Sequence, residues 1–197
     1  MALALFDFDG TISHQDSGVA FLLYSQGWLK LLLGALRFWP DYAIYASHLA
    51  AADRFKTKVL TYFFRDWPLE RFIGMASRFA QERLPNIVRQ TAVDRINWHK
   101  QRGDTIAVVS ASVEWWLKPW CEVQGIPLIA TRLEIRDGKL TGQLQGANCK
   151  GQEKVNRIRQ HYDLGQFDEI YAYGDSSGDR EMLAIATHKF YRYFVGK

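Results

Sequence analysis

Cysteine is nearly missing from this chain of 197 residues: Cys121 and Cys149 stand far apart and form no C-x-x-C pair. That excludes a thiolate zinc site of the usual spacing and a disulfide framework, and makes a reducing cytoplasm the expected compartment. The five histidines, His14, His48, His99, His161 and His188, are just as dispersed and show no ligand spacing. Strong charge of one sign is lacking too. The formal net charge is +4, and basic residues such as Arg37, Arg54, Lys56 and Arg65 are scattered among acids and aromatics, so no nucleic-acid-binding stripe is expected. Asp7 and Asp9 cut the first apolar run too short for a secretory leader. Across residues 19–52, Lys30, Arg37, Pro40 and Asp41 interrupt the apolar sequence before it reaches the ~20 residues a bilayer requires.

What is present is enough apolar residue, 48% of the chain with seven Trp, to build one good-sized core or a core with an inserted smaller unit. Residues 3–11 read LALFDFDGT. A continuous apolar run bounded by glycine indicates a strand buried on both faces, as in parallel sheets. Its end carries Asp7 and Asp9, at the edge where open α/β folds place ligands. Two like charges there are unfavourable unless a cation or an electrophile separates them. A calcium loop also begins D-x-D-G, but it needs alternating oxygen ligands and a closing Glu that do not follow here. A non-catalytic acidic turn, or an Asp that is merely phosphorylated, stays open for this stretch alone.

Residues 13–85 form a mostly helical insert, with breaks expected near Gly27 and Pro40. Its Trp- and Leu-rich helices could pack together as a lid or lie on a membrane surface. Residues 1–12 and 86–197 then make the core. Residues 105–109 are a second apolar strand, ending in Ser110 and Ser112, with Ser112 placed as the N-cap of a helix over residues 113–124. Residues 132–144 contain Asp137-Gly138, a hairpin turn signal, and are expected as a β-ribbon standing on the sheet. Lys150 falls at the entry of the next helix, whereas Lys154, Arg157 and Arg159 lie further inside and are expected to be solvated. Residues 169–173 make a further strand running into Gly174-Asp175; Asp179 follows at capping-box spacing from Ser176.

Strands ending in Asp7 and Asp9, in Ser110 and in Asp175, separated by helices, predict an α/β fold: a Rossmann-like parallel sheet flanked by helices, with its polar ends on one side. Oxygen ligands without a histidine cluster point to Mg²⁺. A carboxylate nucleophile forming an acyl phosphate, with a second carboxylate to protonate the leaving oxygen, would use each part.

The strings DFDGT, VVSAS, CKG and YGDSSGD, in that order, resemble the four-motif signature of the haloacid dehalogenase superfamily. The helical insert and the GKLTG ribbon resemble its phosphoserine phosphatase-like branch. That resemblance implies a phosphomonoester phosphatase acting on a small phosphorylated substrate, with Asp7 as nucleophile and Asp9 as general acid and base. It implies Lys150 as the neutralising lysine, and Ser110, Ala111, Gly10, Thr11 and Asp16 as substrate-binding positions. Asp7, the Asp9 carbonyl, Asp175 and Asp179 would serve Mg²⁺. Asp9 favours phosphate over halide. Asp16 stands where the phosphoserine enzymes carry Glu, Leu60 where they carry an Arg, and Gly178 where they carry Asn, which argues against phosphoserine itself. The apolar cap resembles branch members that dephosphorylate lipid head groups, of the phosphatidylglycerophosphatase C type, with peripheral membrane contact through the cap. A non-catalytic phosphate- or metal-binding module is the remaining alternative; its mark would be a missing nucleophile, acid or lysine, and none is missing.

Overall fold

The computed structural model describes residues 1–47 and 51–196. Five buried apolar residues make β1 (Ala2–Phe6), the middle strand of a five-stranded sheet. The order is β3-β2-β1-β6-β7, with β2 at Thr105–Val113, β3 at Leu128–Thr131, β6 at Glu169–Gly174 and β7 at His188–Tyr191, and every neighbouring pair is parallel. Alternate residues feed two cores. Ala2, Ala4 and Phe6 join Val108, Tyr171 and Tyr173 on one face; Leu3 and Leu5 join Val109, Ile170 and Ala172 on the other. Burial on both faces is why the strand carries no polar alternation. β7 is a short edge strand of alternating exposure that the sequence pattern does not announce.

Helices α4 (Gln90–Gln101) and α5 (Glu114–Gln124) cover the first face, through Ile96 and Leu117. The second is covered by α6 (Gln152–His161) and α7 (Arg180–Ala184), through Ile158 and Met182. The chain therefore winds both ways from β1. The register sets Phe6 beside Val108 and Tyr173, so Asp7, the end of β2 and Asp175 emerge at one edge. This is the switch point where crossovers diverge and a crevice opens.

Between β1 and β2 the chain leaves at Ser13 and returns at Val88, which bridge each other antiparallel. The excursion contains α1 (Ser17–Ser47), α2 (Ala51–Phe64) and α3 (Leu69–Glu82). Phe21 on α1 is its hub: it packs on Phe64, Phe72 and Phe79, and stacks on Trp116 of α5 at 4.9 Å, tying the excursion to the core. α1 departs from helical geometry at Gly27 and runs on past Pro40. Ser17–Trp39 is, by length and composition, long and apolar enough to cross a bilayer. Little of that stretch is buried.

The hairpin of β4 (Leu133–Arg136) and β5 (Lys139–Leu144) does not stand on the sheet. It forms its own two-stranded unit and packs against α2. A Cβ at Gly142, whose φ is +82°, would lie 2.4 Å from the Thr61 Cα, so the close approach requires glycine there. The Asp137-Gly138 signal fixed the turn but carried no information about the partner.

Candidate active site

Asp7 leaves β1 with its N–H donating to the Tyr173 carbonyl at 2.9 Å, which locks it to β6. The chain then turns tightly through residues 8–12, with Gly10 at φ +79°. A Cβ on Gly10 would sit 2.2 Å from Asp175 Oδ2, so the glycine admits the Asp175 carboxylate against the turn. The Thr11 hydroxyl donates to the Asp175 Oδ1 at 3.4 Å. Carboxyl oxygens of Asp7, Asp175 and Asp179 all lie within 4.8 Å of one another.

Asp179 is held twice. Its Oδ2 closes the capping box with Ser176, accepting from the Ser176 N–H at 3.0 Å and the hydroxyl at 2.9 Å. Its Oδ1 accepts from Lys154 Nζ at 2.6 Å, and the same ammonium reaches Asp7 Oδ1 at 2.5 Å. Lys154 is 2% exposed. It is not solvated, as its polar helix suggested, and the ammonium in contact with Asp7 is Lys154 rather than Lys150. Lys154 shares its helical stripe with buried Ile158, one turn on, which carries it inward. Lys150 lines the same cavity with its chain laid over Gly178.

Charge is unevenly balanced here. Burial pushes Asp7 up to about 8; Lys154 opposes the shift and Asp179 adds to it. Burial and then Asp179 raise Asp175; at Asp179 burial also pushes upward, but Lys154 and the Ser176 hydrogen bonds together overcome it and hold the group below the usual carboxylate range. Burial also disfavours the Lys154 charge, but Asp7 and Asp179 prevail and keep the ammonium protonated. Three carboxyl groups against one ammonium leave surplus negative charge on an all-oxygen donor set, which fits a hard divalent cation such as Mg²⁺.

Asp9 faces the other side of the cavity. Its Oδ1 accepts from the Ser17 N–H at the start of α1, 2.7 Å away, and its Oδ2 from the Ser112 hydroxyl at 2.5 Å. Burial, with the nearby Asp16 charge, raises Asp9 to about 6, and the serine hydrogen bonds limit the rise. Ser112 is therefore not a helix cap. β2 continues to Val113, and the hydroxyl orients Asp9 instead. Ser110 is fully buried, its Oγ accepting the Ser112 N–H at 3.0 Å.

A cavity of about 710 Å³ is lined by Asp7, Asp9, Gly10, Asp16, Ala111, Lys150, Asp175 and Asp179. Thr11 and Ser110 stand behind its wall. Asp16 also caps α1, its Oδ1 accepting from the Val19 N–H at 2.9 Å. The far wall is apolar, with Leu22, Val59, Leu60 and Phe64, and Trp116 from the core. Lys56 on α2 enters this wall and donates to the Ala111 carbonyl and, at 2.8 Å, to Asn148 Oδ1. Burial lowers its ammonium to about 8, against the pull of Asp9 and Asp53. Lys154, Ser112 and Lys56 line the cavity, yet the sequence reading gives none of them a part in the chemistry; it makes Lys154 a solvated lysine and Ser112 a helix cap, and only Lys154 had a contrary signal, its spacing from Ile158.

The model of the haloacid dehalogenase-like hydrolase family matches residues 4–184. Protein CicA of Caulobacter vibrioides is 35% identical over 99% of this chain and 87% of its own length. A histidinol-phosphatase of Neisseria meningitidis is 27% identical over 94% of this chain and 87% of its own length. Among solved structures, a phospho-aspartyl intermediate analogue of phosphoserine phosphatase superposes with a TM-score of 0.66 at 22% identity, covering 95% of this chain and 84% of that one.

Proposed function

Because the chain belongs to the haloacid dehalogenase-like hydrolase family, we propose that this phosphatase is Mg²⁺-dependent, cleaves small phosphomonoesters and works through an aspartyl-phosphate on Asp7. The observation that carries the reading is the convergence of Asp7, Asp175 and Asp179, from opposite ends of the chain, on one point beside Lys154. When bound, Mg²⁺ supplies charge neutralisation for the phosphoryl oxygens and for these carboxylates.

The chain's own residues divide the remaining work. Lys154 holds one Asp7 oxygen and leaves the other to attack phosphorus. The new Asp7–phosphorus bond forms as the ester oxygen–phosphorus bond breaks, and Asp9 gives its proton to the departing alkoxide. Asp9, now ionised, takes a proton from water, whose oxygen attacks the acyl phosphate and frees Asp7 and inorganic phosphate. A group near 6, fixed by Ser17 and Ser112, can serve both steps at neutral pH. The excursion of α1–α3, residues 13–85, acts as the cap over the core of residues 1–12 and 86–197. In this reading Lys154 takes the neutralising role that the sequence assigned to Lys150.

The test is release of phosphate from 4-nitrophenyl phosphate by the purified protein with Mg²⁺. Chelation and Asp7→Asn should each abolish it; undiminished turnover in either case would refute the proposal.

A second reading places the enzyme at a lipid surface, acting on a lipid phosphate. It is favoured by α1, where Trp28, Leu29, Leu32, Leu33, Leu36 and Trp39 are largely exposed on a helix that also bears Lys30 and Arg37. Apolar area with interspersed cations is the composition of an interfacial helix. Co-sedimentation with anionic vesicles, lost on Trp28→Ser with Leu32→Ser, tests it; equal sedimentation of the variant would exclude this face.

A further inference from the structure

Ser112 does not act on Asp9 alone. Its hydroxyl oxygen lies 3.0 Å from that of Ser17, and the Ser17 oxygen lies 3.1 Å from Nε1 of Trp116. Both serines are buried, and Trp116 is 4% exposed. The indole is set for this contact by α1. Ser17 and Phe21 stand four residues apart and share one face of that helix. Phe21 takes the flat of the indole ring, at 22° between planes, and Ser17 takes the edge that carries the N–H.

The chemistry of the groups fixes which way each hydrogen bond points. An indole N–H only donates, so Ser17 accepts from Trp116. The Ser112 proton goes to Asp9 Oδ2 at 2.5 Å, so the contact between the hydroxyls is Ser17 donating to Ser112. The relay Trp116, Ser17, Ser112, Asp9 therefore runs in one direction. Asp9 Oδ1 meets a second donor that cannot reverse, the Ser17 N–H at 2.7 Å. Both Asp9 oxygens thus meet protein donors, and the lone pairs left free are those open to the cavity that Asp9 lines. Inverting the relay would pass the Asp9 proton inward, to Ser112 and on to Ser17. With the indole in place, Ser17 would then receive from Trp116 and Ser112 together, and its own buried proton would have no acceptor among the described residues. A buried donor without a partner is costly, so the indole blocks the inversion.

We infer that Trp116 is a positioning residue for the proposed reaction: through Ser17 and Ser112 its N–H makes Asp9 present its proton to the leaving oxygen of the substrate and not to the protein interior. The inference rests on the phosphatase reading above and deepens it. As the ester oxygen–phosphorus bond breaks, the oxygen keeps the electron pair and takes the Asp9 proton. Trp116 then matters most for alcohols that are poor leaving groups, which need that proton, and least for phenols that depart as stabilised anions.

The experiment measures kcat/KM with Mg²⁺ for 4-nitrophenyl, phenyl and benzyl phosphate, whose leaving oxygens are increasingly basic; this parameter reports transition-state stabilisation relative to free enzyme and substrate. Trp116→Phe keeps a ring against Phe21 and removes the N–H. It should lower the value for benzyl phosphate about tenfold more than for 4-nitrophenyl phosphate, the factor one hydrogen bond supplies, with phenyl phosphate between them. Ser17→Ala, which removes the hydroxyl through which the indole acts, should shift the ratio in the same direction. The double variant should shift it no further than Ser17→Ala alone, since the two residues act as one unit. Each ratio is taken within one variant, so partial unfolding cancels. An equal loss on all three substrates in Trp116→Phe, or a Trp116 effect that persists undiminished in the Ser17→Ala background, would overturn the inference. Inactivity of the wild type on all three would overturn the phosphatase reading, and this one with it.

Discussion

Lys154 Nζ lies 2.5 Å from Asp7 Oδ1 although 147 positions separate the two residues in sequence, and the same nitrogen bonds Asp179. One buried ammonium thus joins the first strand to the turn after β6. Removing it leaves two buried carboxylates facing each other, a change that costs about 3–5 kcal/mol when one partner of a buried pair is deleted.

Lys154→Met should therefore lower both the melting temperature and the turnover, the latter by about a hundredfold or more, as expected for loss of a charge aimed at the reacting group. Lys150→Met, whose chain lies over Gly178, should cost less on both measures. Thermal unfolding and steady-state kinetics on the two variants decide the point. A larger loss at Lys150 would return the neutralising role to it.

Ser112 donates to the ionised form of Asp9 and so lowers its pKa from where burial would leave it. Ser112→Ala removes that donor, and Asp9 then rises above about 6. Breakdown of the phospho-enzyme needs Asp9 ionised to act as base. The acidic limb of the kcat profile should consequently move to higher pH by about one unit, the equivalent of one hydrogen bond to a charged group. A limb that stays in place, or moves down, would remove Asp9 from the second step.

His99 is fully buried behind the site, with Nδ1 2.7 Å from Asp104 and Nε2 2.9 Å from the Tyr173 hydroxyl, which itself accepts from Arg95. The arrangement suits a neutral ring that donates to Asp104 and accepts from Tyr173. Burial lowers its pKa below the ordinary 6.5, and Asp104 only partly offsets this. The folded state then binds fewer protons than the unfolded chain in the window below 6.5, so its stabilisation is present above that pH and is lost on acidification. The fall in melting temperature between neutral pH and about pH 5.5 should be smaller in His99→Gln than in the wild type. Equal slopes would mean that His99 does not titrate against folding.

The sheet and its functional edge were legible because each motif couples an apolar run to a polar end. ALALF runs into Asp7, and EIYAY runs into Gly174 and Asp175; period and punctuation suffice to place both. Lys154 reads as solvated because QEKVNRIRQ is polar throughout its length, and only the face it shares with Ile158 carries it inward. Ser112 reads as a helix cap because the extension of β2 to Val113 depends on pairing with Thr131, which no local pattern encodes. Lys56 is one of several basic residues on α2, and only docking of that helix on the core singles it out.

The proposed chemistry requires Asp7 to become phosphorylated in a Mg²⁺-dependent step. Acid-quenching the enzyme during turnover and sequencing its peptides by mass spectrometry tests this most directly. One added phosphoryl group is expected on the peptide containing Asp7, absent when Mg²⁺ is chelated and absent in Asp175→Asn. Turnover with an unmodified Asp7, or a phosphoryl group that accumulates on Asp9 instead, would contradict it.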